Sequence, residues 1–193
     1  MAQQIHELHV SDVHTGESLT RFTWRPGIVV LGDRNFAKAP ALFATRASGA
    51  HVVMRMTPQY LRLWSKAGVP FDLIAALQAA GLQSCLSFAL QLREEKSEQR
   101  LPVWIHALHL NEFQCNRARR RAKRQARHCG RTLRTHTRFL SEWVLGLTTV
   151  PPTELSAANI LALYRIRWQV ELVIKRYKSL LGAAKVRPRA ARR

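Results

Sequence analysis

A short apolar run, IVVLGD at residues 28–33, most constrains what this chain can fold into. The run is rich in β-branched residues and lacks polar alternation, which is typical of a strand buried on both faces. The next segment, RNFAKAPALFATRASG, has helical spacing and ends at Gly49, a candidate C-cap. AHVVMRMT then resembles a second strand. This order predicts a parallel pair of strands with a helical crossover, and therefore an α/β fold.

The segments that flank this unit have other patterns. IHELHV and SLTRFTW alternate apolar and polar residues around a turn-rich stretch, and they predict a hairpin. Residues 58–112 contain three short β-like runs, LRLW, CLSFALQL and LPVWIHALHL, and one helical stretch, PFDLIAALQAAGL. This region therefore reads as a mostly β insertion.

The C-terminal third returns to an α/β pattern. FLSEWVLGLTTV predicts a buried strand, and residues 151–181 are helical throughout, with Ser156 as a candidate N-cap. The tail after residue 182 has no periodicity.

The charge balance points to a polyanionic partner. The chain has 31 Lys and Arg against 12 Asp and Glu, a formal net charge of +19. Such a field attracts nucleic acid above all. The densest segment, residues 117–138, holds no acid and predicts phosphate binding, with a solvated helix face as the alternative. Its candidate DNA contacts are Arg119, Arg120, Arg121, Lys123 and Arg124.

Other classes of protein are disfavoured by what the sequence lacks. No apolar run is long enough for a membrane span, and the N-terminus does not have the order of a signal peptide. The three cysteines are widely spaced and suggest reduced thiols in a bacterial cytoplasm. A zinc site from Cys115, His128 and Cys129 is an alternative, but no C-x-x-C pair supports it.

One carboxylate stands in a basic helix near the C-terminus, in YRIRWQVELVIKRYKSLLG. On a helix, Tyr164, Arg167, Glu171 and Lys178 fall within roughly 60° of one another and form one polar stripe. The stripe suits a carboxylate that holds a divalent metal while cations hold phosphates. The alternative is a plain surface ion pair between Arg167 and Glu171.

A metal site needs a second carboxylate, and Asp33 is the best candidate. It follows the strand IVVLG at the carboxyl edge of the predicted sheet, where α/β folds build their sites. The alternative is that Asp33 caps the next helix. Asp72 suits a helix N-cap better, and Asp12 suits the turn of the hairpin.

These residues resemble a known family. YRIRWQVELVIKRYK is similar to the Y-x2-R-x3-E-x6-K signature of insertion-sequence DDE transposases, and VVLGDRNFA resembles the block around their second catalytic aspartate. The resemblance covers residues 5 to 182. It implies a ribonuclease-H-like core with a mostly β insertion, divided into residues 1–57 (partial core), 58–115 (insertion), 116–182 (return to the core) and 183–193 (basic tail).

The resemblance also implies a chemistry. Asp33 and Glu171 would be catalytic and metal-binding residues that hold two divalent ions, usually Mg²⁺, for phosphoryl transfer. Tyr164, Arg167 and Lys178 would contact the DNA of the transposon ends. A second copy of the chain or a full-length transposase would be a further partner, and no membrane would be involved.

The sequence departs from the family in one respect. The family's first catalytic aspartate belongs on an earlier strand, and only 32 residues precede Asp33. We therefore expect a truncated transposase that is inactive alone, with a non-catalytic, possibly inhibitory DNA-binding remnant as the alternative. An unrelated RNA-binding protein is a weaker alternative, since no aromatic RNA-binding motif is present.

Overall fold

The computed structural model describes residues 18–81, 83–94 and 98–180. Within these residues, six strands form one mixed sheet in the order β1-β2-β6-β5-β4-β3. The pair β1–β2 is parallel and the other neighbours are antiparallel. The strands are β1 (Val29–Gly32), β2 (His51–Arg55), β3 (Leu63–Trp64), β4 (Cys85–Arg93), β5 (Arg100–His109) and β6 (Trp143–Thr148).

Five α-helices and three single turns of 3₁₀-helix accompany the sheet within the described residues. The described α-helices are α1 (Ala39–Ala47), α2 (Leu73–Ala79), α3 (Glu112–His128), α4 (Thr135–Leu140) and α5 (Ala157–Leu180). Single turns of 3₁₀-helix occur at Leu19–Arg21, Arg34–Phe36 and Pro58–Tyr60. No described helix combines the length and the apolar character that a membrane span requires.

The predicted strand–helix–strand unit is confirmed as β1, α1 and β2. The two strands are parallel, with Val30 opposite Val52. Gly49 follows α1 with φ of +81°, and a Cβ atom there would lie 2.9 Å from Cβ of Pro26, so a side chain at this position would be strained and crowded. The helix is shorter than the pattern suggested, because a 3₁₀ turn at Arg34–Phe36 precedes it.

The prediction that β1 is buried on both faces holds for its inner residues, since Val30 belongs to the larger core cluster and Leu31 packs against the smaller one. Val29 at the start of the strand is 42% exposed, and β1 forms one edge of the sheet within the described residues. β2 is covered in the same way, with Val52 in one core and Val53 in the other. A continuous apolar run shows that a strand is hydrophobic, but it does not show how many neighbours the strand has.

The hairpin prediction is wrong for its second arm, and its first arm, IHELHV, lies outside the described residues. SLTRFTW forms a 3₁₀ turn in which the Ser18 side chain accepts a hydrogen bond from the amide of Thr20. Leu19 is buried, and Trp24 Nε1 donates to its carbonyl over 3.0 Å. The alternating pattern therefore reflects packing of a compact turn beside α1, not pairing of a strand.

The β-like runs of residues 58–112 are confirmed as β3, β4 and β5. The helical stretch is confirmed as α2, and Asp72 caps it by accepting hydrogen bonds from the amides of Ile74 and Ala75. The three strands continue the sheet that contains β1 and β2, because β5 pairs with β6 along Trp104 to His109. The proposed domain boundaries stay a prediction.

A smaller core cluster connects the sheet to α5. Ile160 is fully buried beside Val53 and Val150, and Leu31 of β1 packs against the same cluster. The helix thereby lies against β1, β2 and β6. Its candidate N-cap is confirmed, since Ser156 Oγ accepts a hydrogen bond from the amide of Asn159. The predicted helix is too long at its start, because residues 151–156 form turns and not helix.

Candidate functional site

Asp33 lies where the sequence predicted, directly after Gly32 at the carboxyl end of β1. Its side chain is half-buried, and its Oδ1 accepts a hydrogen bond from the amide of Arg34 over 2.6 Å. The alternative that Asp33 caps the next helical turn therefore holds for its Oδ1 atom. Among the described residues, the hydrogen bond to Oδ1 is the contact that the Asp33 carboxylate makes.

The signature residues lie on α5, the helix that packs across β1, β2 and β6. Tyr164 is half-buried, and its hydroxyl oxygen is enclosed by the protein. The side chains of Arg167, Glu171 and Lys178 lie outside the described part of the structure. Their backbone belongs to α5, so the shared helix is confirmed, while the pairing of Glu171 with Asp33 stays a prediction.

The basic segment, residues 117–138, includes most of α3, a helix with two distinct sides. Its protein-facing side carries Cys115, Ala118, Arg119, Ala122 and Ala126, which are buried or half-buried. These positions repeat every three or four residues, so they form one face. A capping box at Asn111 and Gln114 starts the helix, and Glu112 is its acidic residue in the first turn. This side fixes the orientation of the helix on the protein.

The opposite side of α3 is an exposed row of arginines, here called the arginine stripe. At 100° per residue its members lie within about 60° of the direction opposite Cys115. Lys123, which is also exposed, lies beside the row. The arginine stripe comprises Arg117, Arg120, Arg121, Arg124 and Arg127.

Arg119 differs from its neighbours because it has a partner within the protein. Its Nε donates to Oε1 of Glu142 over 2.7 Å. This hydrogen bond lowers the pKa of Glu142 against the opposing effect of burial, and it raises the pKa of Arg119. The pair joins α3 to the residue before β6. The DNA contact predicted for Arg119 has no test here and stays a prediction.

The same corner of the protein brings together His109, Cys115 and Glu142. One donor atom from each lies within 4.8 Å of the others. The His109 ring contacts the edge of Trp143, with centroids 4.7 Å apart. Burial, and then the charge of Glu142, raises the pKa of the Cys115 thiol. The sequence analysis missed this cluster, because His109 and Glu142 are 33 positions apart and no metal-binding motif contains them.

The alternative zinc site of the sequence analysis does not form. Cys115 lies in the first turns of α3, while Cys129 follows its last residue. Fourteen residues of helix separate the two thiols by about 21 Å. His128 and Cys129 are both exposed at that far end. Cys115 therefore shares its surroundings with His109 and Glu142 instead.

Comparison with known proteins assigns the family. All of residues 1–193 match the family described as Transposase DDE domain. This chain belongs to the DDE transposase family. The six-stranded mixed sheet with its helices is consistent with the ribonuclease-H-like domain of such transposases. The family and fold class predicted from the sequence are confirmed.

Curated relatives of this DDE transposase chain come from Escherichia coli. It is 28% identical over 182 residues to the putative transposase InsL for insertion sequence element IS186A of strain K12. It is also 28% identical over 182 residues to the transposase for insertion sequence element IS421. Each match covers 92% of this chain and 49% of the relative. The chain thus spans about half the length of these curated relatives.

Proposed function

We propose that this DDE transposase chain acts in DNA transposition of an insertion sequence, through phosphoryl transfer at the ends of the element. The observation that carries the proposal is the arginine stripe, which a member of the DDE family presents to solvent. The position of Asp33 at the carboxyl end of β1 supports it. The curated relatives are transposases of insertion sequences, which agrees with this role.

The arginine stripe has the properties of a surface that binds the DNA backbone. Arg117 and Arg127 bound a row about 15 Å long, since they are ten residues apart on one helix. Guanidinium groups form paired hydrogen bonds with phosphate oxygens, and each neutralised phosphate releases counterions. After Glu112 the helix carries no acidic residue. We assign phosphate binding to Arg120, Arg121, Lys123 and Arg124, and an anchoring role to Arg119.

Asp33 and Glu171 are the residues that would hold the family's metal ions. The Asp33 carboxylate fits Mg²⁺, which prefers oxygen ligands, and only one of its oxygens is engaged by the backbone. When bound, such ions activate the attacking oxygen and stabilise the leaving oxygen. The chain's own part is to hold the Asp33 carboxylate at a sheet edge and to place Glu171 on a helix packed against the same strands.

Tyr164, Arg167 and Lys178 complete the proposal as residues that position the DNA end. They share one face of α5 with Glu171 by helical spacing. Arg167 can bind a phosphate with two hydrogen bonds, and Lys178 can act as a point charge. This arrangement would hold the scissile phosphate beside the metal-binding carboxylates.

A second candidate function is DNA binding without catalysis. The observation in its favour is that the arginine stripe belongs to α3, whereas Asp33 and Glu171 belong to other elements. DNA binding should therefore survive removal of either carboxylate. Such a chain could occupy transposon ends and interfere with a full-length transposase.

A binding assay at several salt concentrations tests the DNA-binding part of the proposal. The full chain is titrated with duplex DNA from the ends of the element, and the slope of log K against log salt is measured. The double variant Arg120→Gln/Arg124→Gln should reduce that slope by about 1.8, because each lost phosphate contact contributes about 0.9. At low salt, the double variant should bind this DNA more weakly than the unsubstituted chain does. The two affinities should converge at high salt.

The matched control removes two exposed arginines elsewhere. Arg25 and Arg100 lie outside α3 and are exposed, so Arg25→Gln/Arg100→Gln changes the net charge equally. This control should keep the slope of the unchanged chain. Equal slopes for both double variants would mean that binding follows net charge alone, and the assignment to the arginine stripe would fail.

A further inference from the structure

We propose that His109, Cys115 and Glu142 form a binding site for a divalent transition-metal ion, with Zn²⁺ as the best-suited ion. The site lies where β5, α3 and β6 meet, apart from the Asp33 edge of the sheet. It is independent of the proposed transposase chemistry. One donor atom from each of the three side chains lies within 4.8 Å of the other two.

Backbone hydrogen bonds hold the three residues in position. His109 is the last residue of β5 and pairs with Trp143, and the amide of Leu110 donates to the carbonyl of Glu142 over 2.8 Å. Cys115 is tied to the N-cap of α3, since its amide donates to the carbonyl of Asn111 over 2.8 Å. Two of the three residues therefore belong to regular elements and Glu142 directly precedes a third, which preorganises the site for a ligand.

The donor set is selective for one class of metal. An imidazole nitrogen, a thiolate and a carboxylate oxygen are the three ligand types that Zn²⁺ accepts in proteins. Mg²⁺ and Ca²⁺ prefer oxygen alone, so the thiol of Cys115 discriminates against the ions expected at Asp33. The two anionic ligands would balance the charge of the ion. Because His109 and Glu142 retain 24% and 14% side-chain exposure, water can reach a fourth coordination position.

Neighbouring residues already orient the ligands. Arg119 binds Oε1 of Glu142, and this leaves Oε2 directed at Nε2 of His109, 4.0 Å away. Such an outer contact is a common feature of carboxylates that bind metals. Sγ of Cys115 donates to the carbonyl of Leu110 over 3.2 Å, and a bound ion would replace the thiol proton. Without a metal, the same residues would form only an ion-pair network.

Cobalt absorption provides a direct test on the full chain. Co²⁺ replaces Zn²⁺ in such sites, and a bound thiolate produces a sulfur-to-cobalt charge-transfer band. The double variant Cys85→Ser/Cys129→Ser removes both exposed thiols and leaves Cys115 as the sole thiol. We expect this variant to bind one Co²⁺ per chain with the band, and Zn²⁺ to displace the Co²⁺ and abolish the band.

Further substitutions in the double variant test whether His109 and Cys115 bind the ion. His109→Asn should weaken Co²⁺ binding at least about tenfold, and Cys115→Ser should eliminate the band. Asp33→Asn should change neither, which separates this site from the proposed catalytic one. Absence of the band in the folded double variant would overturn the proposal. A band that His109→Asn leaves at full affinity would overturn it as well.

Discussion

The guanidinium of Arg119 and the carboxylate of Glu142 form an ion pair over 2.7 Å that joins α3 to the start of β6. The two residues are 23 positions apart in the sequence. This contact turns one cation of a basic helix towards the protein and leaves the arginine stripe towards solvent. One side of the helix therefore attaches it to the protein, and by our proposal the other side binds phosphates.

The first prediction separates these functions by single substitutions. Arg119→Ala should lower the melting temperature, because it leaves the half-buried carboxylate of Glu142 without its strongest partner. Arg120→Ala should leave the melting temperature unchanged and reduce the salt slope of DNA binding by about 0.9. Thermal unfolding and salt-dependent binding of both variants provide the measurements. The reverse pattern would show that α3 is turned the other way.

A second prediction concerns how α5 is attached to the sheet. Ile160 is a residue of α5 and is fully buried beside Val53 of β2. Ile160→Ala should therefore cost about 2–4 kcal/mol in the free energy of unfolding. Ile166 lies on the same helix and is 46% exposed. Ile166→Ala should therefore cost less than about 0.5 kcal/mol. Urea unfolding of both variants distinguishes them, and equal costs would contradict this packing of α5.

The third prediction is a loss of stability in mild acid that depends on His106. This residue is buried in β5, Nδ1 lies 2.8 Å from Oγ of Ser87, and burial lowers the pKa of the imidazole below its usual value of 6.5. The unfolded chain then binds a proton at a pH where the folded chain does not. The free energy of unfolding should therefore fall as the pH drops below about 6.5, and this effect should level off below the folded pKa.

Matched histidine variants isolate this effect from other titrating groups. His106→Gln should flatten the dependence of the unfolding free energy on pH between about pH 5 and pH 7. His128 is exposed at the end of α3, and His128→Gln should keep the slope of the unchanged chain. The two slopes come from urea unfolding at several pH values. An unchanged slope in His106→Gln would assign the acid sensitivity to other residues.

The fourth prediction is that this 193-residue chain alone does not cleave or join DNA. Two-metal phosphoryl transfer needs carboxylates that hold two ions about 3.5–4 Å apart. By our proposal Asp33 and Glu171 would supply two carboxylates, and Asp72 is engaged as the cap of α2. Nicking and strand transfer are measured with Mg²⁺ or Mn²⁺ on DNA with transposon ends. Metal-dependent cleavage that Asp33→Ala abolishes and Asp72→Asn retains would refute this prediction.

The sequence alone was sufficient for elements whose pattern is local. The apolar runs of β2, β5 and β6 and the helical spacing of α2 determine those elements, because side-chain periodicity is a property of neighbouring residues. The caps at Asp72, Ser156 and Gly49 were readable for the same reason. The family, too, followed from a short spacing of residues on α5, since a helix fixes which of its positions share a face.

Only the tertiary structure decided relationships between distant residues. It showed that β1 lies at an edge, that SLTRFTW forms a compact turn, and that β3–β5 continue the sheet of β1 and β2. The inner face of α3 is marked in the sequence by Cys115, Ala118, Ala122 and Ala126 at three- and four-residue spacing, but only the tertiary structure shows what that face contacts. Arg119 on this face contacts Glu142, which directly precedes β6, the strand that pairs with β5.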